Sequence, residues 1–139
     1  MPRTEQVQLE EKELPVASSI REYTPEDQDD VAALFDRTFG TWSCRRWLQR
    51  WKWQYRDSPR PPDVESHIQV VEAEGRVVGH LGAFPLILRV GDEHFPVLSA
   101  GDFVVAEGHR LAAFGLLKNL VSQGRVVIAT GSGPEGRRM

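Results

Sequence analysis

The sequence predicts one α/β domain built on a mixed sheet with flanking helices. Two pairs of β-rich apolar runs are joined by the short turns Glu74-Gly75 and Gly91-Asp92, which is typical of antiparallel hairpins. Further along, residues 101–130 follow the order strand, helix, strand, which is typical of a crossover between parallel strands. The chain has 139 residues, of which 40% are hydrophobic, and this size and composition suit a single globular domain.

The N-terminal part divides into a leader and the start of the domain. Residues 1–18 are polar and acidic without sustained periodicity, so we expect a flexible leader followed by a domain over residues 19–139. Residues 20–23 are predicted as a short strand. Thr24-Pro25-Glu26-Asp27 supplies a capping hydroxyl, a proline at the first helical position and two acids, and it predicts a helix start. That helix would end at Gly40. Its buried face would include Val31, Leu34 and Phe35.

A second helix is predicted over about residues 43–55. Aromatic side chains recur there at every fourth position, at Trp47, Trp51 and Tyr55, with basic residues between them. Packing into the core is the favoured interpretation, because aromatic residues at helical spacing usually form a buried face. The alternative is a surface that stacks nucleic-acid bases and binds phosphates, which the net charge of −3 disfavours.

Beyond a proline-rich loop at residues 58–63, the chain is dominated by predicted strands. The first hairpin joins residues 68–73 to residues 76–84, and the second joins residues 86–90 to residues 94–98. Residues 101–105 are predicted as a separate central strand.

The helix after the central strand begins with Arg110-Leu-Ala-Ala113-Phe-Gly115. Four apolar residues recur in it at spacings of three and four and predict its buried face: Phe114, Leu117, Leu120 and Val121. Gly124 fits the C-terminal stop of this helix, and residues 125–130 are predicted as the next strand.

The start of this helix suits a phosphorylated ligand. The first helical turn has backbone N–H groups without intrahelical partners and a partial positive charge, so phosphate oxygens bind well there. Ala113 and Gly115 would let a ligand approach the main chain, and Arg110 would add a charge-assisted hydrogen bond. An alternative of equal weight on spacing alone is that the glycine serves only tight helix-to-strand packing.

The motif Arg110-Leu-Ala-Ala113-Phe-Gly115 resembles motif A of the GNAT acetyltransferase superfamily, in which a Gln/Arg-x-x-Gly-x-Gly/Ala turn holds the pyrophosphate of acetyl-coenzyme A. It departs from the motif at Ala113, where the family usually has glycine. The resemblance extends over residues 20–130 in the order of strands and helices, and it implies a mostly antiparallel central sheet. It also implies acetyl transfer from acetyl-coenzyme A to an amine of a small molecule or a peptide.

The resemblance also implies roles for individual residues. Asp102 is the carboxylate nearest the expected thioester and the candidate general base, with a turn cap or an arginine pair as the favoured alternative. The loop and helix after the first helix usually shape the acceptor pocket, which implies acceptor contacts from Trp42, Arg45 and Arg46. The implied cofactor contacts, in chain order, are Phe103, Val104, Val105, Arg110, Leu111, Ala112, Ala113, Phe114, Gly115 and Leu116.

Composition excludes several other classes of protein. Cys44 is the only cysteine, so intrachain disulfides and thiolate-rich metal sites are ruled out, and the four histidines show no zinc-ligand pattern. We therefore expect no bound metal. No apolar run approaches a membrane span and no signal-peptide core is present, so we expect a cytoplasmic protein.

The sequence after residue 130 lacks the further helix, with its proton-donating tyrosine, and the closing strands that GNAT domains usually have. We therefore expect residues 125–130 to expose a strand edge that favours a homodimer, and we expect catalysis to be weak or absent unless a partner supplies the missing part. A non-catalytic acyl-coenzyme A binding or protein-interaction module is the principal alternative. A nucleic-acid-associated module is the third.

Overall fold

The computed structural model describes residues 17–59 and 66–129, apart from the side chains of residues 41–44. Its strands are β1 (Ser18–Glu22), β2 (His67–Ala73), β3 (Arg76–Val90), β4 (Glu93–Val105) and β5 (Val127–Ala129). Its helices are α1 (Gln28–Phe39), α2 (Thr41–Lys52) and α3 (Leu111–Val121). A 3₁₀ turn at Pro25–Asp27 precedes α1, and a π turn at Trp53–Asp57 follows α2. All but the last two positions of the predicted leader lie outside the described residues.

The strands form one sheet in the order β1-β2-β3-β4-β5, with β5 parallel to β4 and all other neighbours antiparallel. This confirms the predicted mixed, mostly antiparallel architecture. The predicted strands at residues 76–84 and 86–90 are, however, a single strand, as are those at residues 94–98 and 101–105. Within the described residues β2 pairs with β3 as far as Ala83, and Pro85 continues β3 beyond that pairing.

The predicted helix start at Thr24 is confirmed as a capped turn. The Asp27 carboxylate accepts hydrogen bonds from the Thr24 N–H at 2.8 Å and from the Arg21 guanidinium at 2.7 Å. Arg21 also donates to Glu72 of β2 at 2.6 Å, so one guanidinium joins β1, β2 and the helix start. Its hydrogen bond to Asp27 lowers the pKa of that carboxyl.

One face of the sheet is covered by α1, α2 and the π turn. Their buried side chains include Val31, Leu34, Phe35, Trp47, Trp51 and Tyr55. The rings of Phe35 and Trp47 stack with centroids 3.9 Å apart. The aromatic stripe of the second helix therefore belongs to the core, as its spacing predicts, and Trp47 and Trp51 are not available to stack nucleic-acid bases.

The other face is covered by α3, and here the predicted buried stripe is right for Leu120 and wrong for its other three members. Leu116 and Leu120 are buried, whereas Phe114 is 68% exposed. Almost every position of α3 is apolar, so periodicity alone could not select one face. The buried face is selected instead by the close approach of α3 to β1 at Gly115, where a Cβ would overlap the Ile20 side chain. The other two residues of the predicted stripe, both exposed, are Leu117 and Val121.

Candidate functional site

A gap in the pairing between β4 and β5 marks the candidate site. Within the described part of the chain, β5 pairs with β4 only over residues 98–100. Residues 101–105 of β4 have β3 as their strand partner in that part of the chain. Main-chain N–H and C=O groups on the other edge of this segment have no strand partner among residues 17–59 and 66–129, and a ligand can hydrogen-bond to groups of this kind.

A β-bulge lies at the start of this open edge. Asp102 and Phe103 stand opposite the single residue Leu81 of β3. Asp102 has a φ of 52°, in the left-handed region that residues other than glycine seldom adopt. Bulges are over-represented beside active sites, because they redirect a side chain and interrupt strand pairing.

The directions of the main-chain groups follow from one hydrogen bond after the bulge. The Ala106 N–H donates to the Val78 carbonyl of β3 at 2.7 Å. Because main-chain groups alternate in direction along a strand, those of Val104 are directed at β3. Those of Val105 are directed at the open edge, as is the Phe103 C=O, which shares a peptide with the Val104 N–H. Two residues of the predicted cofactor site thus present their backbone there.

The Asp102 carboxylate lies on the α2 side of the sheet and has two partners. Oδ1 accepts a hydrogen bond from Arg50 Nη2 at 2.5 Å, and Oδ2 accepts one from the Tyr55 hydroxyl at 2.9 Å. The Asp102 side chain is 8% exposed and that of Arg50 is 49% exposed. The pair therefore lies where the core meets solvent. It is an arginine pair of the kind that competes with the general-base assignment.

Tyr55 reaches Asp102 because a glycine lies beneath its ring. A Cβ on Gly82 of β3 would overlap the Tyr55 hydroxyl, so only glycine lets the ring lie directly on the strand. Burial, followed by the negative charge of Asp102, raises the pKa of Tyr55. The hydroxyl therefore stays protonated and acts as a donor.

A buried histidine lies under the bulge. His80 of β3 is fully buried, with Nε2 at 3.2 Å from the Trp51 indole nitrogen and Nδ1 at 2.8 Å from the Asp102 carbonyl oxygen. An indole nitrogen only donates and a carbonyl oxygen only accepts, so the ring proton belongs on Nδ1. Burial lowers the pKa of His80, which keeps the ring neutral.

The turn from β4 into α3 is tightly wound. Gly108 has a φ of 88°, which lets the chain reverse before the helix. The N–H groups of Ala112 and Ala113 donate to the carbonyls of His109 and Arg110 at 3.0 and 3.1 Å. These bonds give the start of α3 a 3₁₀ character and occupy two of its amides. The Arg110 side chain is exposed at the same end of the helix.

The ten predicted cofactor residues divide by exposure. Val104 packs in the core under α1 and α2, and Leu116 packs in the core under α3, so only their main chain can meet a ligand. Gly115 faces Ile20, so its missing side chain serves helix-to-strand packing in this structure. The four exposed members are Phe103, Arg110, Leu111 and Phe114, and the four half-buried members are Val105, Ala112, Ala113 and Gly115.

The predicted acceptor residues lie on α2. Arg45 and Arg46 are exposed, and the side chain of Trp42 lies outside the described residues. The basic residue that reaches Asp102 is Arg50, one helical turn after Arg46, which the sequence analysis did not select. The sequence signal for Arg50 was its i, i+4 spacing from Arg46, which places both arginines on the same face of α2.

Tyr55 and His80 were also not selected as site residues. Tyr55 was interpreted only as part of the aromatic stripe, and His80 only as one of four scattered histidines. The available signal for His80 was its position as a lone histidine in an apolar strand, between Gly79 and Gly82. Both glycines are places where β3 is approached closely by a neighbouring side chain.

The comparison with protein-family models identifies the domain. Residues 19–129 match the model of an acetyltransferase (GNAT) domain, which is most of the chain. The chain belongs to the GNAT acetyltransferase family. The match includes the bulge, the open edge of β4 and all of α3, so the candidate site lies inside the GNAT domain.

Solved structures show the same fold as this GNAT domain. A probable N-acyltransferase from Enterococcus faecalis superposes with a TM-score of 0.64 and 11% identity, over 88% of this chain and 31% of that one. A predicted acetyltransferase from Clostridium acetobutylicum, solved with acetyl-CoA, gives 0.63 and 8% identity over 84% and 82%. Glucosamine-6-phosphate N-acetyltransferase from Arabidopsis thaliana gives 0.54 and 18% over 84% and 83%. The chain thus spans about a third of the Enterococcus protein.

At these identities the structural likeness establishes the fold alone. The comparison with curated protein sequences found no significant match. No helix within residues 17–59 and 66–129 is long and apolar enough to cross a bilayer.

Proposed function

We propose that this GNAT domain binds acetyl-coenzyme A along the open edge of β4 and transfers its acetyl group to an amine. One observation carries the proposal: among the described residues, positions 101–105 of β4 have no partner in β5, and they lead through one turn into the start of α3. One ligand can therefore meet strand main chain and a helix N-terminus together. An extended pantetheine arm suits the strand edge, and a diphosphate suits the helix start.

Arg110 carries much of the proposed diphosphate binding. The amides of Ala112 and Ala113 already donate to carbonyl oxygens, which reduces what the first turn of α3 offers to an anion. The exposed Arg110 guanidinium adds up to five donors and a full positive charge at the same place. The partial positive charge of the helix end acts in the same direction.

The acetyl group would lie beside the bulge. The Val105 N–H at the open edge and the Phe103 N–H beside the bulge are the proposed donors to a thioester carbonyl. Donors aimed at an oxygen that gains negative charge during acyl transfer lower the barrier to attack by the amine. The apolar side chains of this strand are compatible with that role, since the main chain makes the contacts.

Asp102 is the proposed base for the acceptor ammonium. Its carboxylate lies at the bulge, and each oxygen accepts one hydrogen bond and keeps a second lone pair that can take a proton. The acceptor would approach from the Arg50 side, because the Arg50 side chain is half exposed while Tyr55 is buried. Trp42, Arg45 and Arg46 are the proposed acceptor contacts, placed on the same helix as Arg50.

Calorimetry with coenzyme A and with acetyl-coenzyme A tests the cofactor assignment. We expect both to bind, and we expect Arg110→Ala to weaken binding about tenfold, as for loss of one charge-assisted hydrogen bond. Arg125→Ala is the matched control, because this exposed arginine lies beyond the other end of α3 and should leave affinity unchanged. If the wild-type protein binds neither compound, the proposal is refuted.

Transfer is tested by release of the coenzyme A thiol in the presence of a panel of primary amines. If Asp102 is the base, Asp102→Asn should remove the acidic limb of the pH–rate profile. An unchanged profile would exclude the assignment of Asp102.

A non-catalytic acyl-coenzyme A binding module is the second candidate function. The observation that favours it is the engagement of both Asp102 carboxylate oxygens by Arg50 and Tyr55, since these two donors stabilise the ionised form and weaken it as a base. Binding of coenzyme A without turnover on any amine would support this function over acetyl transfer.

We further propose that the outer edge of β5 contacts a second copy of the chain. β5 is the last strand of the sheet within the described residues, and the adjacent Val126 is exposed. An apolar strand edge pairs readily with another strand. Light scattering that finds only monomers would exclude this contact.

A further inference from the structure

His80 has no part in the function proposed above, although it is the most enclosed polar side chain near the site. It is fully buried, and both ring nitrogens have partners, the Trp51 indole and the Asp102 carbonyl oxygen. The rings of Phe35 and Tyr55 meet it edge-on, with centroids 5.3 and 6.4 Å away. A side chain with two defined partners and close aromatic neighbours is held in one orientation.

The hydrogen bond from His80 fixes the plane of the peptide that joins Asp102 to Phe103. The described chain has no cis peptide bond, so the Asp102 C=O and the Phe103 N–H point in opposite directions. Because the C=O is held toward His80 on the α1–α2 side, the N–H is directed away from that side. The left-handed conformation of Asp102, with a φ of 52°, persists only where its surroundings enforce it.

The Phe103 N–H therefore lies on the side of the bulge opposite His80, two residues before the Val105 groups that are directed at the open edge of β4. A peptide whose C=O accepts a hydrogen bond becomes more polarised, and its N–H becomes a stronger donor. The His80 ring therefore acts on this N–H in two ways, by fixing its direction and by strengthening it.

We propose that His80 is a positioning residue that holds and polarises the Phe103 N–H for the acyl carbonyl of a bound thioester. The inference rests on the proposed function, since it requires acetyl-coenzyme A at the open edge of β4. On this proposal, the buried hydrogen bonds from Trp51 to His80 and from His80 to the Asp102 carbonyl contribute to acyl recognition as well as to packing.

Two variants each keep one of the two His80 hydrogen bonds. In His80→Asn the amide nitrogen takes the place of Nδ1, so a donor to the Asp102 carbonyl is retained. In His80→Gln the amide oxygen takes the place of Nε2, so the acceptor for Trp51 is retained and the donor to Asp102 is lost. Both create a partly unsatisfied buried site, which makes them matched for stability.

The first readout is the ratio of the coenzyme A Kd to the acetyl-coenzyme A Kd, measured by calorimetry. We expect His80→Gln to lower this ratio about fivefold, in keeping with loss of one hydrogen bond, and His80→Asn to stay within about twofold of wild type. The second readout is the Phe103 amide proton in ¹⁵N-correlated spectra. It should move downfield when acetyl-coenzyme A replaces coenzyme A in wild type and His80→Asn, but not in His80→Gln.

The possible failures are distinguishable. If wild type binds no coenzyme A, the proposed function fails and this inference fails with it. If wild type binds coenzyme A but the Phe103 amide does not respond to the acetyl group, or if both variants lower the ratio equally, only the role of His80 is overturned. A wild-type measurement makes the test independent of variant folding: histidine ¹⁵N shifts must show the proton on Nδ1, and a proton on Nε2 would overturn the proposal.

Discussion

The two faces of the sheet hold their helices in different ways. On the α1–α2 face, large aromatic rings interlock and carry polar groups to the strands, so that Trp51 reaches His80 and Tyr55 reaches Asp102. On the α3 face, aliphatic side chains and one close approach at Gly115 make the contact, and much apolar helix surface faces solvent. The first face therefore sets the geometry of the bulge, whereas the second holds a helix against the sheet.

Truncation of one phenylalanine on each face should give the largest contrast. Phe35→Ala removes a ring that is 2% exposed and stacked on Trp47, and we expect the free energy of unfolding to fall by about 3–5 kcal/mol. Phe114→Ala removes a mostly exposed ring, and we expect a change within about 0.5 kcal/mol. Urea unfolding measures both, and similar losses would contradict the contrast between the faces.

Removal of Tyr55, the buried partner of the Asp102 carboxylate, should lower stability more than removal of Arg50, the half-exposed partner. Tyr55→Phe leaves a nearly buried carboxylate oxygen without its donor, and we expect a loss of about 1.5–3 kcal/mol of unfolding free energy. Arg50→Gln removes a half-exposed partner, and we expect a loss of at most about 1 kcal/mol. Equal losses, measured by the same unfolding experiment, would show that solvent does not screen the Arg50 pair.

Acid should destabilise the aromatic face through His80. Its pKa is lowered from the usual 6.5 in the folded protein, so below pH 6.5 the unfolded chain binds a proton that the folded chain refuses. The free energy of unfolding should therefore fall as the pH drops below 6.5, by up to about 1.4 kcal/mol per pH unit, until the folded-state pKa is reached. His80→Gln is the control, and the difference between the two pH profiles isolates the histidine. Parallel profiles would exclude this linkage.

The sequence predicted the aromatic face well because its signals are local. Thr24 to Asp27 have the residue types of a capped helix start. Trp47, Trp51 and Tyr55 are four positions apart, so they lie on one face of a helix. On α3 nearly every residue is apolar, so the spacing was ambiguous, and the contact between Gly115 and Ile20 that selects the face is long-range. The continuous strands β3 and β4 pair with each other from Gly79 to Val90 and from Glu93 to Val105, and this long-range pairing is not recorded in local sequence.

The candidate site was predictable in its main chain but not in its side-chain network. The strand and helix around residues 101–115 follow from pattern and resemblance. The pairing of Arg50 with Asp102 spans 52 positions, and that of Trp51 with His80 spans 29. The bulge arises from a register shift against β3. Without the position of the neighbouring strand, neither the left-handed Asp102 nor the hydrogen bond from His80 to its carbonyl could be inferred.

The smallest expected effect decides between the two interpretations of Gly115. In Gly115→Ala the new methyl group overlaps the Cδ1 atom of Ile20, which offsets a gain in helix propensity of about 1 kcal/mol. Ile20→Val removes that atom, so Gly115→Ala should stabilise the protein by up to about 1 kcal/mol in the Ile20→Val background and by less in wild type. If the glycine serves packing, the double variant should bind coenzyme A with unchanged affinity. If it serves the approach of a ligand, Gly115→Ala should weaken binding in both backgrounds, whatever it does to stability.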